Sequence, residues 1–229
     1  MKYILLALIT ISSCIGNDRE NMEEPELKII WERDTNNIDA PDTEPLIIEN
    51  SKLIYAGEID LLAVDIDTGE EQWRGEIDNE RALISDKLLY DEKRQRVIAS
   101  HINDIKVWDS ETGKLIYTLT EESGVQAFSL GKHAIIDDGY GIIGDTLDAY
   151  VIEPDGKIRY SIQVPFASSG LAFSQNKLYM TMGKTIHGLL TKGKIIAFNA
   201  QNGDSLWSYN TDKGGFINVA PIVENGIIY

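Results

Sequence analysis

The chain has 229 residues, and its 21 basic and 37 acidic side chains give a formal net charge of −16. Nucleic acid and anionic lipid headgroups repel a surface of this charge, so the composition excludes nucleic-acid binding. A single cysteine also excludes an intramolecular disulfide and any metal site built from cysteines.

The first fourteen residues form a leader that is distinct from the rest of the chain. One lysine precedes an apolar run that is too short to span a bilayer, which predicts a secretory signal at 1–13. Ile11-Ser12-Ser13-Cys14 resembles the lipobox, whose cysteine is lipidated and becomes the mature N-terminus, anchored by its acyl chains. An ordinary signal peptide that contains a cysteine is the alternative. In such lipoproteins an aspartate directly after the lipidated cysteine favours retention in the inner membrane. This chain has Ile15 at that position, which favours the periplasmic face of the outer membrane.

An acidic segment at 14–26 follows the leader. It has almost no apolar residue to bury, which predicts a flexible tether between the lipid and a folded domain at 27–229. Loss of residues 1–13 removes one lysine and no acid, so the mature chain carries −17.

A repeat runs through this domain, in which a glycine is followed four residues later by a large aromatic residue. Its four copies are Gly69 with Trp73, Gly113 with Tyr117, Gly156 with Tyr160, and Gly203 with Trp207. The glycines are 44, 43 and 47 residues apart, a period typical of β-propeller blades and of solenoids. Trp31 lies 42 residues before Trp73 and occupies the same position in an incomplete earlier repeat.

Each copy carries the pattern of a β-hairpin. Before the first glycine, alternate residues are apolar, as in a strand with one buried face. The turn Asp65-Ile-Asp-Thr-Gly69 supplies an aspartate that can accept from turn amides and a glycine that can adopt positive φ. Two further apolar runs precede each hairpin, and in the third copy we assign them to 125–128 and 134–136.

These patterns predict an all-β fold, a β-propeller of four-stranded antiparallel blades. The predicted blades cover about 45–77, 82–121, 124–164 and 168–210. Residues 27–33 and 214–229 each supply part of a further blade. These complete blades are fewer than a closed ring usually needs. We therefore expect either a truncated chain with an open ring, or a ring that closes with an unusual fifth blade.

The motif Asp-x-x-Thr-Gly-x-x-x-Trp at 65–73 resembles the PQQ-like repeat of quinoprotein-type propellers. That family includes outer-membrane assembly lipoproteins of the BamB type and quinoprotein alcohol dehydrogenases. The pair Trp108-Asp109 also resembles a WD40 blade. The resemblance covers 27–229 and implies a propeller, while fold alone does not decide between catalytic and non-catalytic members.

Two functions follow from this resemblance. The first is a lipid-anchored, non-enzymatic scaffold that binds a protein partner at the bacterial cell envelope, with a role in outer-membrane protein assembly. The alternative is a quinoprotein dehydrogenase-like enzyme that binds PQQ with Ca²⁺. Such enzymes add a vicinal cysteine pair, which this sequence lacks because Cys14 is its only cysteine. We therefore predict no catalytic residue, no metal site and no cofactor.

Three other patterns resemble nucleotide-binding, calcium-binding or catalytic sites. We interpret each of them as part of the fold and not as a site. Gly139-Tyr-Gly-Ile-Ile-Gly144 matches a dinucleotide-binding pattern, but a predicted strand follows it where a helix is required, so we expect a hairpin loop. The third blade holds acids without the spacing of a calcium loop: Asp137, Asp138, Asp145 and Asp148. The histidines lie in different blades and form no catalytic set: His101, His133 and His187.

An insertion at 183–194 accounts for the longest spacing between glycines. It is basic and has two leucines at its centre. Inserted loops on rigid scaffolds often carry recognition, so we predict a partner-binding loop. Its candidate contact residues are Lys184, His187, Leu189, Leu190 and Lys192. A solvated excursion without a partner is the alternative.

Overall fold

The structure is a computed structural model. It describes residues 3–8, 28–34, 46–48, 51–56, 60–76, 88–100, 104–125, 133–143, 148–163, 167–186, 189–211, 214–216 and 219–229. Cys14, the tether and His187 lie outside these ranges.

Two strands precede the repeats. They are β1 (Tyr3–Leu8) and β2 (Lys28–Asp34). They pair antiparallel with each other in a two-stranded sheet, and Tyr3 lies opposite Asp34. Residues 3–8 of the predicted secretory signal therefore form a strand in this structure.

Four antiparallel sheets of four strands follow, and each strand pairs with the next along the chain. The first sheet contains β3 (Leu46–Ile48), β4 (Lys52–Ala56), β5 (Asp60–Asp65) and β6 (Glu71–Glu76). The second contains β7 (Leu89–Asp91), β8 (Arg96–Ser100), β9 (Asp104–Asp109) and β10 (Leu115–Thr120). The third contains β11 (Ala134–Ile136), β12 (Gly139–Ile143), β13 (Asp148–Ile152) and β14 (Ile158–Gln163). The fourth contains β15 (Ala167–Ser174), β16 (Lys177–Ile186), β17 (Leu189–Asn199) and β18 (Ser205–Thr211). These sheets confirm the predicted all-β class and its antiparallel four-stranded unit.

The inner pair of the third sheet differs from our prediction. Residues 134–136 form its first strand and not its second, and Gly139–Ile143, expected as a loop, form the second strand. A Cβ atom at Gly139 would collide with the Ile152 carbonyl oxygen of the neighbouring strand. The glycine there permits close strand packing, so the dinucleotide-like pattern reflects that packing.

Hydrophobic clusters lie between successive sheets. The cluster between the first and second sheets joins Leu61 and Trp73 to Val97 and Trp108. Corresponding clusters join the second sheet to the third and the third to the fourth. Because successive side chains of a strand point to opposite faces, β9 and β13 of the second and third sheets bury both faces. After Asp148, β13 is apolar throughout, whereas β9 alternates apolar residues with the buried charges of Asp104 and Lys106.

The last two strands are β19 (Val223–Glu224) and β20 (Ile227–Ile228). Their segment, Ile222-Val-Glu-Asn-Gly-Ile-Ile-Tyr229, resembles Ile47-Ile-Glu-Asn-Ser-Lys-Leu-Ile-Tyr55 at the start of the first sheet. β19 contacts β15, just as β15 contacts β11 and β11 contacts β7. It therefore holds the place of the innermost strand of a following sheet. Among the described residues, no helix is long and apolar enough to cross a bilayer.

Candidate functional site

The four repeat turns share one geometry. Their glycines, Gly69, Gly113, Gly156 and Gly203, all have φ between 67° and 91°. In the first turn the Asp65 carboxylate accepts from the backbone amides of Asp67 (3.0 Å) and Thr68 (2.8 Å). The Thr68 amide is the main cause that lowers the pKa of Asp65. The carboxylate thus holds the turn in its ionised form, as the sequence chemistry predicts.

The second and fourth turns repeat this chemistry. Asp109 accepts from the Thr112 amide and the Thr112 hydroxyl, both at 2.8 Å, and that hydroxyl lowers its pKa. Asn199 accepts from the Gln201 amide at 2.9 Å. The third turn is shorter, since the Gly156 amide donates to the carbonyl of Glu153, three residues earlier, at 2.9 Å.

The repeated aromatic residue contacts the glycine of the next repeat, not its own. A Cβ atom built on Gly69 would lie 2.6 Å from Cδ2 of Trp31. Trp73 lies against Gly113 in the same way, as Tyr117 does against Gly156. Tyr160 lies against Gly203, again in the next repeat. A side chain on Gly69, Gly113 or Gly203 would displace the aromatic ring, whereas one on Gly156 would be in tight contact with Tyr117 at 3.2 Å.

Three of these aromatic residues also donate a hydrogen bond across the interface. The acceptor is always the carbonyl oxygen one residue after the Asp or Asn that starts the next turn. The donor and acceptor pairs are Trp31 Nε1 to Ile66 (2.7 Å), Trp73 Nε1 to Ser110 (2.9 Å), and Tyr160 Oη to Ala200 (2.8 Å). A glycine contact and a carbonyl contact thus set the position of each sheet on the next.

The interface between the second and third sheets uses a different donor. Arg96 on β8 donates to the equivalent carbonyl, that of Pro154, at 2.5 Å. The buried hydroxyl of Tyr117 therefore has no hydrogen-bond partner. Burial raises the pKa of this hydroxyl well above its usual value.

Trp207 differs from its counterparts because 41% of it is exposed, whereas only 8% of Trp73 is exposed. The strand that carries it, β18, is exposed along nearly its whole length. Trp207 therefore differs from Trp73, which is buried between two blades, because no described blade covers its ring.

Two of the acids considered as calcium ligands, Asp137 and Asp138, lie in a turn of the third sheet, where arginines bind them. Arg159 binds Asp138 (3.1 Å) and Glu153 (2.6 Å). The Asp137 carbonyl accepts from Arg94 at 3.0 Å. Asp145 lies outside the described ranges. Within those ranges no three His, Cys, Asp or Glu side chains are placed to hold a metal ion.

A buried carboxylate binds the same Arg94 side chain. Asp91 is 1% exposed and accepts from Arg94 Nη1 and from the Tyr140 hydroxyl, both at 2.8 Å. The Arg94 guanidinium also lies 5.8 Å from the centroid of the Tyr140 ring. Burial is the main cause that raises the pKa of Tyr140 to about 12, so its hydroxyl remains a donor at neutral pH.

Lys52 crosses from the first sheet to the turn of the second. It is almost fully buried, and its ammonium group donates to the Ser110 carbonyl (3.0 Å) and the Glu111 carboxylate (2.9 Å). The same carbonyl accepts from Trp73. A buried cation and an indole therefore share one acceptor, a contact that the sequence pattern did not predict.

His133 is the one histidine that the described residues include. It is buried, and its Nδ1 accepts from the Ile143 amide at 3.0 Å, while Nε2 has no partner. Burial lowers its pKa to about 4. The imidazole is therefore neutral at physiological pH and acts as part of the core.

The predicted partner-binding loop is a β-hairpin. β16 and β17 remain paired to their ends, with Lys184 opposite Lys192 and Ile186 opposite Leu189. Among the described residues the outer neighbours reach less far, because β15 begins at Ala167, opposite Gly183, and β18 ends at Thr211, opposite Gly193. Residues 184–186 and 189–192 therefore extend past the described ends of both outer strands. Both lysines are exposed, and we call this segment the projecting hairpin.

A polar groove lies beside the second and third sheets. Its volume is about 450 Å³. The residues that line it are Glu121, Gly124, Asp148, Tyr150, Ser161 and Gln163. Of these described lining residues, two are carboxylates and none is basic.

Comparison with known proteins identifies the architecture. No protein-family model matches the chain, and no curated protein matches it. Among solved structures it is similar to Sqt1 of Saccharomyces cerevisiae, with a TM-score of 0.67, 14% identity, and coverage of 85% of this chain and 55% of that one. It is also similar to BamB of Moraxella catarrhalis, with a TM-score of 0.53, 16% identity, and coverage of 81% and 69%.

The chain has a β-propeller fold. At these identities the likeness concerns the fold alone, and this propeller chain spans about half the length of Sqt1. The four sheets are its blades, and the glycine and carbonyl contacts above are the interfaces between them.

Proposed function

We propose that this propeller is a lipid-anchored, non-enzymatic scaffold that holds a protein partner at the bacterial cell envelope. It faces the periplasm from the outer membrane and supports outer-membrane protein assembly, as in the BamB-type family whose repeat it resembles. The projecting hairpin is the observation that carries this proposal.

The projecting hairpin combines three properties of a recognition element. It extends from the longest pair of strands in a four-stranded sheet, so a rigid base orients it. It presents Lys184 and Lys192 on an otherwise acidic protein. Leu189 and Leu190 lie near its tip in sequence. We expect an acidic partner surface with an apolar centre, because opposite charges steer association and apolar contacts add affinity.

The leader supports the cellular location. Lipidation at Cys14 would anchor the scaffold, and cleavage before this residue would remove β1, the pairing partner of β2. Metabolic labelling with a palmitate analogue is expected to mark the wild-type protein, and Cys14→Ser is expected to abolish the label. A labelled Cys14→Ser variant would contradict lipidation at this residue.

Site-specific cross-linking in living cells tests the partner. A photoreactive amino acid in place of Lys184 is expected to trap an envelope protein, and Lys192→Glu in the same chain should weaken this adduct. The matched control carries the photoreactive residue in place of Lys114, which is exposed on the turn of the second blade. The same adducts from both positions would contradict a specific role for the projecting hairpin.

A strain that lacks the protein tests the assembly role. We expect reduced amounts of folded outer-membrane proteins, measured as heat-modifiable bands from isolated outer membranes. Complementation with wild type is expected to restore them, whereas the Lys184→Glu, Lys192→Glu double variant should not. Unchanged outer-membrane protein levels would leave the scaffold without this role.

A further inference from the structure

The far face of the fourth blade has an exposed apolar area on its outer strand. Trp207 lies opposite Ala197 and Tyr209 lies opposite Ile195, so the two aromatic residues share one face of the sheet. They are 41% and 62% exposed. Tyr179 on β16 is on the same face, with its ring centroid 6.1 Å from that of Trp207. We call Trp207 and Tyr209 the terminal aromatic face.

The inner part of this blade is already covered. A Cβ atom on Gly170 would lie 2.5 Å from Ala220, and the Thr181 hydroxyl donates to the Val219 carbonyl oxygen. A Cβ atom on Gly193 would lie 2.8 Å from Gly215. Residues 214–216 and 219–221 therefore pack on the inner strands as a neighbouring blade does, and these described residues leave the outer strand open.

We propose that the terminal aromatic face binds one kind of occupant: a β-hairpin of this same repeat type from outside residues 1–229. Its turn begins with Asp or Asn and has Gly in the left-handed conformation near its end. The glycine packs on the Trp207 ring, and the carbonyl oxygen after the Asp or Asn accepts from the indole N–H.

The other interfaces of the molecule specify this occupant. Trp31 and Trp73 each meet such a glycine and each donate to such a carbonyl, at 2.7 and 2.9 Å. Trp207 occupies the same repeat position, but among the described residues its indole N–H makes no hydrogen bond. The terminal aromatic face thus continues an established series of interfaces.

The short sheet β19–β20 supports the same occupant. It repeats the first two strands of the first blade, and among the described strands β20 pairs only with β19. In every complete blade, the hairpin that bears the turn glycine forms the third and fourth strands. A hairpin added at β20 would therefore reach Trp207 with its turn, and its strands would gain backbone hydrogen bonds.

A second copy of the chain fits this face less well. Each of its four repeat glycines, Gly69, Gly113, Gly156 and Gly203, is already in contact with an aromatic residue of its own chain. Residues 214–216 and 219–221 also occupy the space that the inner strands of a docked blade would need. A second copy is therefore the competing outcome of the test.

The test uses the whole chain and a peptide with its own 60–76 sequence, which contains the β5–β6 hairpin. Cysteines added at both ends close the peptide, because isolated two-stranded hairpins are marginally stable in water. Calorimetry is expected to show saturable binding with one peptide per chain. Trp207→Ala should weaken it at least about tenfold, which corresponds to the loss of about 1.4 kcal/mol.

Two controls make the result specific. Leu206→Ala changes a neighbour on the same strand that is equally exposed, at 47%, but points to the opposite face. This variant should bind the peptide as wild type does. A peptide with Gly69→Val should not bind, because its side chain would meet the Trp207 ring. Circular dichroism confirms that both protein variants fold.

Three results would overturn the proposal. The first is the absence of saturable binding up to the solubility limit of the closed peptide. The second is an equal loss of peptide affinity in Leu206→Ala and Trp207→Ala. The third is a concentration-dependent dimer in sedimentation velocity that Trp207→Ala abolishes. The last result would assign the terminal aromatic face to a second copy. None of these results depends on lipidation or on the projecting hairpin, so the proposed function is tested separately.

Discussion

At the scale of single residues, the turn glycines serve two purposes at once. Gly113 has a φ of 67°, which an L-residue with a side chain adopts at a cost of roughly 1–2 kcal/mol. It also lies under the Trp73 ring, with 2.7 Å between its ideal Cβ position and Cδ2. Gly226 has a similar φ of 79° but no atom within 4 Å of such a Cβ.

This pair separates backbone strain from interface packing. Gly226→Ala is expected to lower the free energy of unfolding by about 1 kcal/mol, from strain alone. Gly113→Ala should lower it by an additional amount of about 1–3 kcal/mol, because the methyl group displaces the indole. Urea denaturation followed by tryptophan fluorescence measures both. Equal losses in the two variants would show that the ring contact contributes little.

His133 predicts a dependence of stability on pH. Its pKa is about 4 in the folded protein and near 6.5 when unfolded, so below pH 6.5 the unfolded state binds more protons. Stability is therefore fully present above pH 6.5 and falls as the pH decreases toward 4, by about 2 kcal/mol at pH 5. His133→Asn retains an acceptor for the Ile143 amide and does not titrate in this range.

Urea midpoints at pH 7 and pH 5 measure this effect. This window lies above the ordinary range of carboxylates such as Asp65 and Glu153, whose pKa values are lowered by their hydrogen bonds. We expect the wild-type midpoint to decrease between the two pH values and the His133→Asn midpoint to change much less. Equal decreases in the midpoints of wild type and His133→Asn would show that a group other than His133 causes the pH dependence.

At the scale of strands and interfaces, the same carbonyl position is satisfied by different donors. Tyr160 donates to Ala200 at 2.8 Å, whereas the hydroxyl of Tyr117 has no partner because Arg96 holds the equivalent carbonyl. Tyr160→Phe is expected to cost about 1 kcal/mol, the net value of one hydrogen bond. Tyr117→Phe should be neutral or stabilising, because it removes an unpaired buried hydroxyl.

The two tyrosines form a matched pair for chemical denaturation. They occupy the same position in consecutive repeats and lose the same atom. The expected order of unfolding midpoints places Tyr117→Phe at or above wild type and Tyr160→Phe below it. Equal destabilisation by both changes would mean that the Tyr117 hydroxyl has a partner in solution.

These interfaces also show what the sequence could predict. The sequence predicts the repeat period, the turns and the positions of the outer aromatic residues. It can do so because each turn requires Asp or Asn and Gly at fixed local positions, and the same pattern recurs in each repeat. The role of Arg96 was not readable, since it depends on which side chain reaches a carbonyl of the next blade. Strand β12 differs from the predicted loop because its glycines serve strand packing. The projecting hairpin differs from the predicted loop because polar residues obscure the alternation of its strands.

At the scale of the whole molecule, stability is distributed along a row of blades. The second and third blades pack against a neighbour on both sides, whereas β19–β20 is a sheet of two residues per strand. In repeat proteins each unit is stabilised mainly by its neighbours. We therefore expect local opening to begin at the ends of the row.

Hydrogen exchange monitored by mass spectrometry tests this gradient. Peptides that cover β8, β9, β12 and β13 should exchange slowest, and those that cover β19 and β20 should exchange fastest. If the closed peptide with the 60–76 sequence binds the terminal aromatic face, its addition should slow hydrogen exchange in β18 and β20. Uniform protection along the chain would instead indicate one cooperative unit.

The offset between each aromatic residue and the glycine it contacts has a consequence for how such a chain can change its size. Glycine and aromatic residue are inherited together within one repeat, but each makes its contact with an adjacent repeat. A tandem duplication of one whole repeat would therefore insert a unit whose leading and trailing surfaces already match both neighbours. Gain or loss of blades requires no new interface mutation, and selection on one copy constrains the copies beside it.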